Sequence, residues 1–66
     1  MKIRVNGELM TVDSGSTLQA LLDTLAMGGG RLAVEVNETI VPRSEHASLE
    51  LQDGDTIEIV HAIGGG

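Results

Sequence analysis

The chain has 66 residues, a net charge of −6 from four basic and ten acidic side chains, no cysteine, and no phenylalanine, tyrosine or tryptophan. That length holds one domain and leaves little room for a catalytic cleft. The missing aromatics remove base stacking, the acidity repels phosphate, and the missing thiols remove disulfides, thiolate metal sites and cysteine nucleophiles, so nucleic-acid binding and thiol catalysis are set aside.

Ile3 and Val5 alternate with Lys2 and Arg4, the period of a half-buried strand. Asn6-Gly7 follows, and Leu9 to Val12 resumes as a second strand with Met10 and Val12 on one face. Asn-Gly between two apolar runs predicts a hairpin, because both turn positions need positive φ. Asp13-Ser14-Gly15 breaks the run. Ser16-Thr17-Leu18-Gln19 fits a capping box, with Ser16 at the N-cap and Gln19 at N3. Leu18, Leu21, Leu22 and Leu25 then form one apolar helical stripe, with Gln19, Asp23 and Thr24 on the wet side. Gly28-Gly29-Gly30 is expected to stop that helix, with Gly28 as the left-handed residue.

Leu32, Val34 and Val36 share one side of a third strand, and Asn37-Glu38 reads as a turn. Ile40-Val41 runs into Pro42, which cannot donate to a ladder and marks an edge or irregular segment. Arg43 to Ser48 reads as a loop or short helical turn, and Leu49 and Leu51 flank Glu50 as a short strand. Asp53-Gly54-Asp55 is a turn by composition. From Thr56 to Ile63 the alternation is clean, with Ile57, Ile59, His61 and Ile63 on one face and Glu58 and Val60 on the other. One helix covering one face of one sheet gives a two-layer α+β domain, and a long last strand pairing beside the first makes it a β-grasp, or ubiquitin-like, fold: a mixed sheet of four to five strands on one main helix. Residues 1–63 are assigned to this domain and 64–66 to a flexible tail.

Conventional chemical sites are missing from the pattern. His46 and His61 have no metal-partner spacing, and His61, on an apolar alternation, reads as a satisfied or rim histidine. Asp53 and Asp55 lack the rest of a calcium loop, and the glycines at 28–30 follow a helix rather than opening one, so they make no phosphate loop. No metal site is expected. No apolar run approaches the ~20 residues of a membrane span and no signal peptide is recognised, so neither a membrane nor an export route is expected, and the chain is assigned to the cytoplasm. The informative segment is Gly64-Gly65-Gly66 after Ala62-Ile63. Glycines carry no side chain, and five extended residues reach about 17 Å, far enough to thread a partner's channel and deliver the Gly66 carboxylate to its active site. A carboxylate is a poor electrophile. An ATP-dependent partner could make it an acyl-adenylate, whose carbonyl accepts sulfur or an amine. With no cysteine, any sulfur carried must sit on the terminal carbonyl.

Met1-Lys2-Ile3-Arg4-Val5-Asn6-Gly7, Thr17-Leu18-Gln19-Ala20-Leu21-Leu22, Val34 through Glu45, Asp53-Gly54-Asp55, Ile57 through His61 and the glycine end together resemble the ThiS family of thiamine-biosynthesis sulfur carriers. The pairing of Val41-Pro42-Arg43 with the closing glycines is its most specific part. The resemblance implies a carrier rather than an enzyme, with no cofactor of its own. It implies adenylation of Gly66 by a ThiF-type adenylyltransferase that uses ATP and magnesium, sulfur from a cysteine desulfurase or other donor, a thiocarboxylate at Gly66, and transfer to thiazole synthase (ThiG). Gly64 and Gly65 would thread the partner channels, with Ile59, His61 and Ile63 as a docking strip beside them. His46 and Ala62 stand where many relatives carry an aromatic. Other readings are a carrier for molybdopterin or a sulfur-bearing amino acid, a modifier that joins Gly66 to lysines, and a passive ubiquitin-like module.

Overall fold

The computed structural model describes residues 1–27 and 31–61. Strand β1 (Lys2–Val5) pairs antiparallel with β2 (Glu8–Thr11), and the helix α1 (Leu18–Thr24) follows. Strands β3 (Leu32–Val36) and β4 (Thr39–Ile40), a 3-10 turn at Arg43–Glu45, and β5 (Thr56–His61) complete the elements of the described residues. The sheet order is β2-β1-β5-β3-β4, with β5 parallel to β1 and antiparallel to β3. A five-stranded mixed sheet, with its last strand between the first and the third and one helix on one face, is the β-grasp architecture expected from the alternation pattern.

Both hairpins turn through positive φ. Asn6 and Gly7 take 49° and 85°, and Asn37 and Glu38 take 51° and 68°. These are the mirror-image turns whose twist matches that of the flanking strands. Ile3, Val5, Val34, Ile57 and Ile59 point inward from the sheet and meet Leu18, Leu21 and Leu22 of α1, with Val41 and Leu51 closing the edges. Each fully buried aliphatic side chain contributes about 1.5–3 kcal/mol.

Both ends of α1 differ from expectation. The N-cap is Thr17, not Ser16: Thr17 is extended (φ −92°, ψ 164°) and its Oγ1 accepts from Ala20 N–H at 3.1 Å. Gln19 is therefore not at N3, and its amide donates instead to Asp23 one turn on, at 3.0 Å. A distant segment moves the start. Leu18 N–H donates to Leu49 C=O and Leu51 N–H to Ser16 C=O, so residues 16–18 lie alongside 49–51. At the other end, Ala26, with φ 57°, is the left-handed residue rather than Gly28. Ala26 N–H donates to Asp23 C=O and Met27 N–H to Leu22 C=O, the two bonds of a Schellman cap, and Met27 packs on the core. The helix is thus closed before the glycines, and Gly28 itself lies outside the described residues.

Residues 49–51 do not form a full strand. They make one isolated antiparallel bridge, Glu50 with Thr17, and Leu51 drops into the core. The Asp-Gly-Asp turn instead works as a clasp. Asp53 Oδ1 accepts from Lys2 N–H at 2.7 Å and Gly54 N–H donates to Lys2 C=O, fixing the start of β1. Asp55, 8% exposed, accepts from Gln52 N–H and from the Asn37 side-chain amide, tying the β3–β4 turn to the entry of β5. Asn37 Oδ1 accepts from Thr56 N–H across the same junction.

Candidate functional site

The candidate site is the end of β5, which the glycine-rich segment follows in sequence. Its position in the sheet interior follows from its sequence: two buried isoleucines alternate with exposed residues, and both its edges find partners. On the β3 side the pairing is complete, from Val36 opposite Ile57 to Leu32 opposite His61. On the β1 side the backbone pairing stops at Val5 opposite Ile57, because the chain turns at Asn6. The Asn6 side chain then substitutes for the missing strand. Its Oδ1 accepts from Ile59 N–H at 2.8 Å, and its Nδ2 donates to Ile59 C=O at 3.2 Å. β5 is therefore held on both edges as far as Ile59, and by β3 on to His61.

Of the residues placed in the docking strip, Ile59 is 3% exposed and packs against the core, so it supports β5 from beneath and offers no docking surface. His61 is exposed at the strand end, opposite Leu32. Ile63, Gly64, Gly65 and Gly66 lie outside the described residues. The large aliphatic side chain that β5 does expose is Val60, 56% accessible on the opposite face of the sheet from Ile59. In the sequence its signal is a valine at a position where the alternation calls for a polar residue. Asn6 was legible only as a turn residue. That it also completes the pairing of a strand more than fifty positions away depends on the sheet order.

Of the two readings of His61, its exposure at the strand end fits the rim histidine; the buried and satisfied histidine is His46. It is 4% exposed, and its Nε2 lies 3.2 Å from Val41 C=O. A carbonyl only accepts, so Nε2 carries the proton in this contact. The imidazole thus fills the site where family relatives were expected to carry an aromatic ring. Its main chain also serves α1, since His46 C=O accepts from Gln19 N–H. Among the described residues no group of three His, Asp or Glu side chains is gathered as a metal site. What the described arrangement supplies is a strand, paired along its β3 edge to His61, that leads in sequence to the glycine segment.

The chain matches the model of the ThiS family over residues 3–66, a span that includes the closing glycines. It is 36% identical to the sulfur carrier protein ThiS of Escherichia coli K12 over the whole of both chains. It is 44% identical over all of its 66 residues to a thiazole synthase of Magnetococcus marinus, of whose length it spans 20%. The crystal structure of the thiamine biosynthesis protein ThiS from Geobacter metallireducens superposes with a TM-score of 0.85 at 30% identity, with full coverage of both chains. The order of the sheet, the placement of β5 and the reach of the match through the glycine end agree: the chain belongs to the ThiS family.

Proposed function

We propose that this ThiS-family chain carries sulfur for thiamine biosynthesis on the carbonyl of Gly66 and is acted on by partner enzymes. The observation that carries this reading is the end-to-end alignment with the Escherichia coli sulfur carrier, which runs through Gly64-Gly65-Gly66. The absence of cysteine fits it, because no side chain can hold the sulfur as a persulfide.

In this reading a ThiF-type adenylyltransferase, with its own ATP and magnesium, binds the glycine segment. The Gly66 carboxylate oxygen attacks the α-phosphorus of ATP, a new C–O–P anhydride forms, and pyrophosphate leaves. A sulfur nucleophile supplied by a cysteine desulfurase or other donor then attacks the carbonyl carbon. The C–O bond to AMP breaks and AMP leaves. Where the nucleophile is the donor's persulfide, the product is an acyl disulfide; a thiol such as free cysteine attacks the donor-side sulfur, breaks the S–S bond, is oxidised to a disulfide with the donor and leaves the outer sulfur on Gly66 as a thiocarboxylate. Thiazole synthase takes that sulfur. The protein's own contribution is positional. Asn6 holds β5 at Ile59 and β3 pairs with it to His61, so that Gly64 and Gly65 enter the partner's channel from a strand fixed in the sheet. This work is placed in the cytoplasm, where reduced sulfur donors persist.

The test is intact mass before and after incubation with the adenylyltransferase, ATP, a desulfurase and cysteine. A thiocarboxylate adds about 16 Da, the nominal shift of one methionine oxidation, so the C-terminal peptide is fragmented to locate the gain. The gain is expected at Gly66. No gain there, with an enzyme mixture proven on another carrier, overturns the reading, and lysine conjugates in the same mixture would point to a protein modifier.

A further inference from the structure

Asn6 precedes Gly7 at the tip of the β1–β2 hairpin, and both residues are exposed. An asparagine followed by glycine can modify itself: the glycine's peptide nitrogen attacks the asparagine's side-chain carbon, and no β-carbon on the glycine stands in the way. Gly7 N–H has no acceptor among the described residues, and a Cβ built on Gly7 would meet nothing within 4 Å. The chain's other asparagine, Asn37, also sits in a positive-φ turn, but Glu38 follows it, and a β-carbon there hinders the same attack. What further separates the two is what Asn6 holds. Its Oδ1 and Nδ2 take the main-chain N–H and C=O of Ile59, which β1 does not reach. The reacting amide and the clamp on β5 are therefore one group.

We propose that Asn6-Gly7 is a self-deamidating site, gated by its bonds to Ile59, whose conversion irreversibly releases β5 along its β1-side edge beyond Ile57. Gly7 nitrogen gives its proton to hydroxide and attacks Asn6 Cγ. The new C–N bond closes a succinimide, the bond from Cγ to Nδ2 breaks, and ammonia leaves with a proton from water. Water then opens the ring, at Cγ to give aspartate or at the main-chain carbonyl to give isoaspartate. Water is the only co-reactant, and nothing is oxidised or reduced. While Asn6 is bonded to Ile59 its side chain is not free to swing toward Gly7, so attack waits for the hairpin tip to open. Neither product restores the clamp. An aspartate side chain has no donor: one oxygen can accept from Ile59 N–H, and the other is set against Ile59 C=O, acceptor to acceptor. An isoaspartate routes the main chain through Cγ and lengthens a two-residue turn by one atom, against the twist its strands need. The strand that leads to the glycine segment is then paired beyond Ile57 by β3 alone. None of this depends on what the glycine end carries.

The experiment incubates the full chain at mildly alkaline pH, in buffer and in unfolding urea, and follows the peptides that hold Asn6 and Asn37 by mass. Deamidation adds about 1 Da. In urea the gain at Asn6 is expected at least tenfold faster than at Asn37. In buffer the gain at Asn6 is expected to continue, at least tenfold slower than in urea. No gain at Asn6 in the folded chain over ten half-lives of the unfolded one overturns the site, and equal rates in the two conditions overturn the gating. The isoaspartate form is then separated and refolded, and amide exchange at Ile59 is expected to rise at least tenfold. Should that form not refold, Asn6→Asp carries the loss of the donor alone, and exchange at Ile59 is expected to rise at least threefold. Exchange at Ile59 within twofold of wild type overturns the release.

Discussion

Asn6 makes two hydrogen bonds to the main chain of Ile59, one at each peptide group, at 2.8 and 3.2 Å. A single side-chain amide thus pairs β5 beyond the point where β1 has turned away, and the same residue supplies the first positive φ of the β1–β2 turn. These two duties can be separated. Asn6→Gly keeps the turn geometry and loses only the side chain, with an expected cost of about 1–2 kcal/mol for two hydrogen bonds. Asn6→Ala also places a Cβ in the left-handed region and is expected to lose about 1 kcal/mol more. Urea unfolding of both variants measures the costs, and amide exchange at Ile59 should accelerate in each.

Ala26 closes α1 in the left-handed region, with φ 57°. Glycine accepts that conformation without steric cost, and the Schellman bonds need only the backbone. Ala26→Gly is therefore expected to stabilise the fold by about 0.5–1 kcal/mol. A raised urea midpoint with an unchanged slope checks it.

Asp53 and Asp55 differ in what they hold. Asp55 is buried and accepts from two donors, Gln52 N–H and the Asn37 amide, whereas Asp53 makes an exposed bond to Lys2 N–H. Asp55→Ala leaves donors unpaired in a closed site and is expected to cost about 2–3 kcal/mol, against about 1 kcal/mol or less for Asp53→Ala. Paired thermal melts distinguish them.

Leu21 and Leu22 are each 2% exposed at the centre of the core. Truncation of either to alanine is expected to cost about 2–5 kcal/mol. In a domain this small the total stability is of the same order, so a substantially unfolded population is expected by circular dichroism at 25 °C.

Removal of Gly65 and Gly66, or Gly66→Ala, addresses the proposed chemistry. Deletion is expected to abolish sulfur gain in the mass assay and Gly66→Ala to impair it, with the melting curve unchanged in both. A strongly lowered melt in either variant would contradict a purely chemical role for the end of the chain.

Short-range patterns in the chain carried most of the architecture. The alternation of Ile3 and Val5, and of Ile57 and Ile59, specified which face of each strand is buried, since period two leaves no other assignment. Asn6-Gly7 specified a hairpin because its φ requirements are local. The leucines at 18, 21, 22 and 25 specified one helical face. The resemblance carried by Val41-Pro42-Arg43 and the closing glycines pointed to the family, and the family match and the superposition of the fold agree with it.

Tertiary structure decided the rest, wherever one residue's role depends on another far along the chain. The helix starts at Thr17 because residues 49–51 pair with residues 16–18, and it ends at Ala26 because Met27 has a core to pack against. His46 is interior because Val41 C=O and the start of α1 meet around it, although the segment from Arg43 to Ser48 is mostly polar. Ile59 belongs to the core rather than to a docking strip because α1 covers its face, and Val60 is exposed because nothing in the described chain covers the other. Local sequence determined which conformations each segment prefers; which groups those segments bury, pair or leave open was settled only when β5 entered between β1 and β3, because hydrogen-bond pairing and burial belong to contacts across the sheet and not to the segment alone.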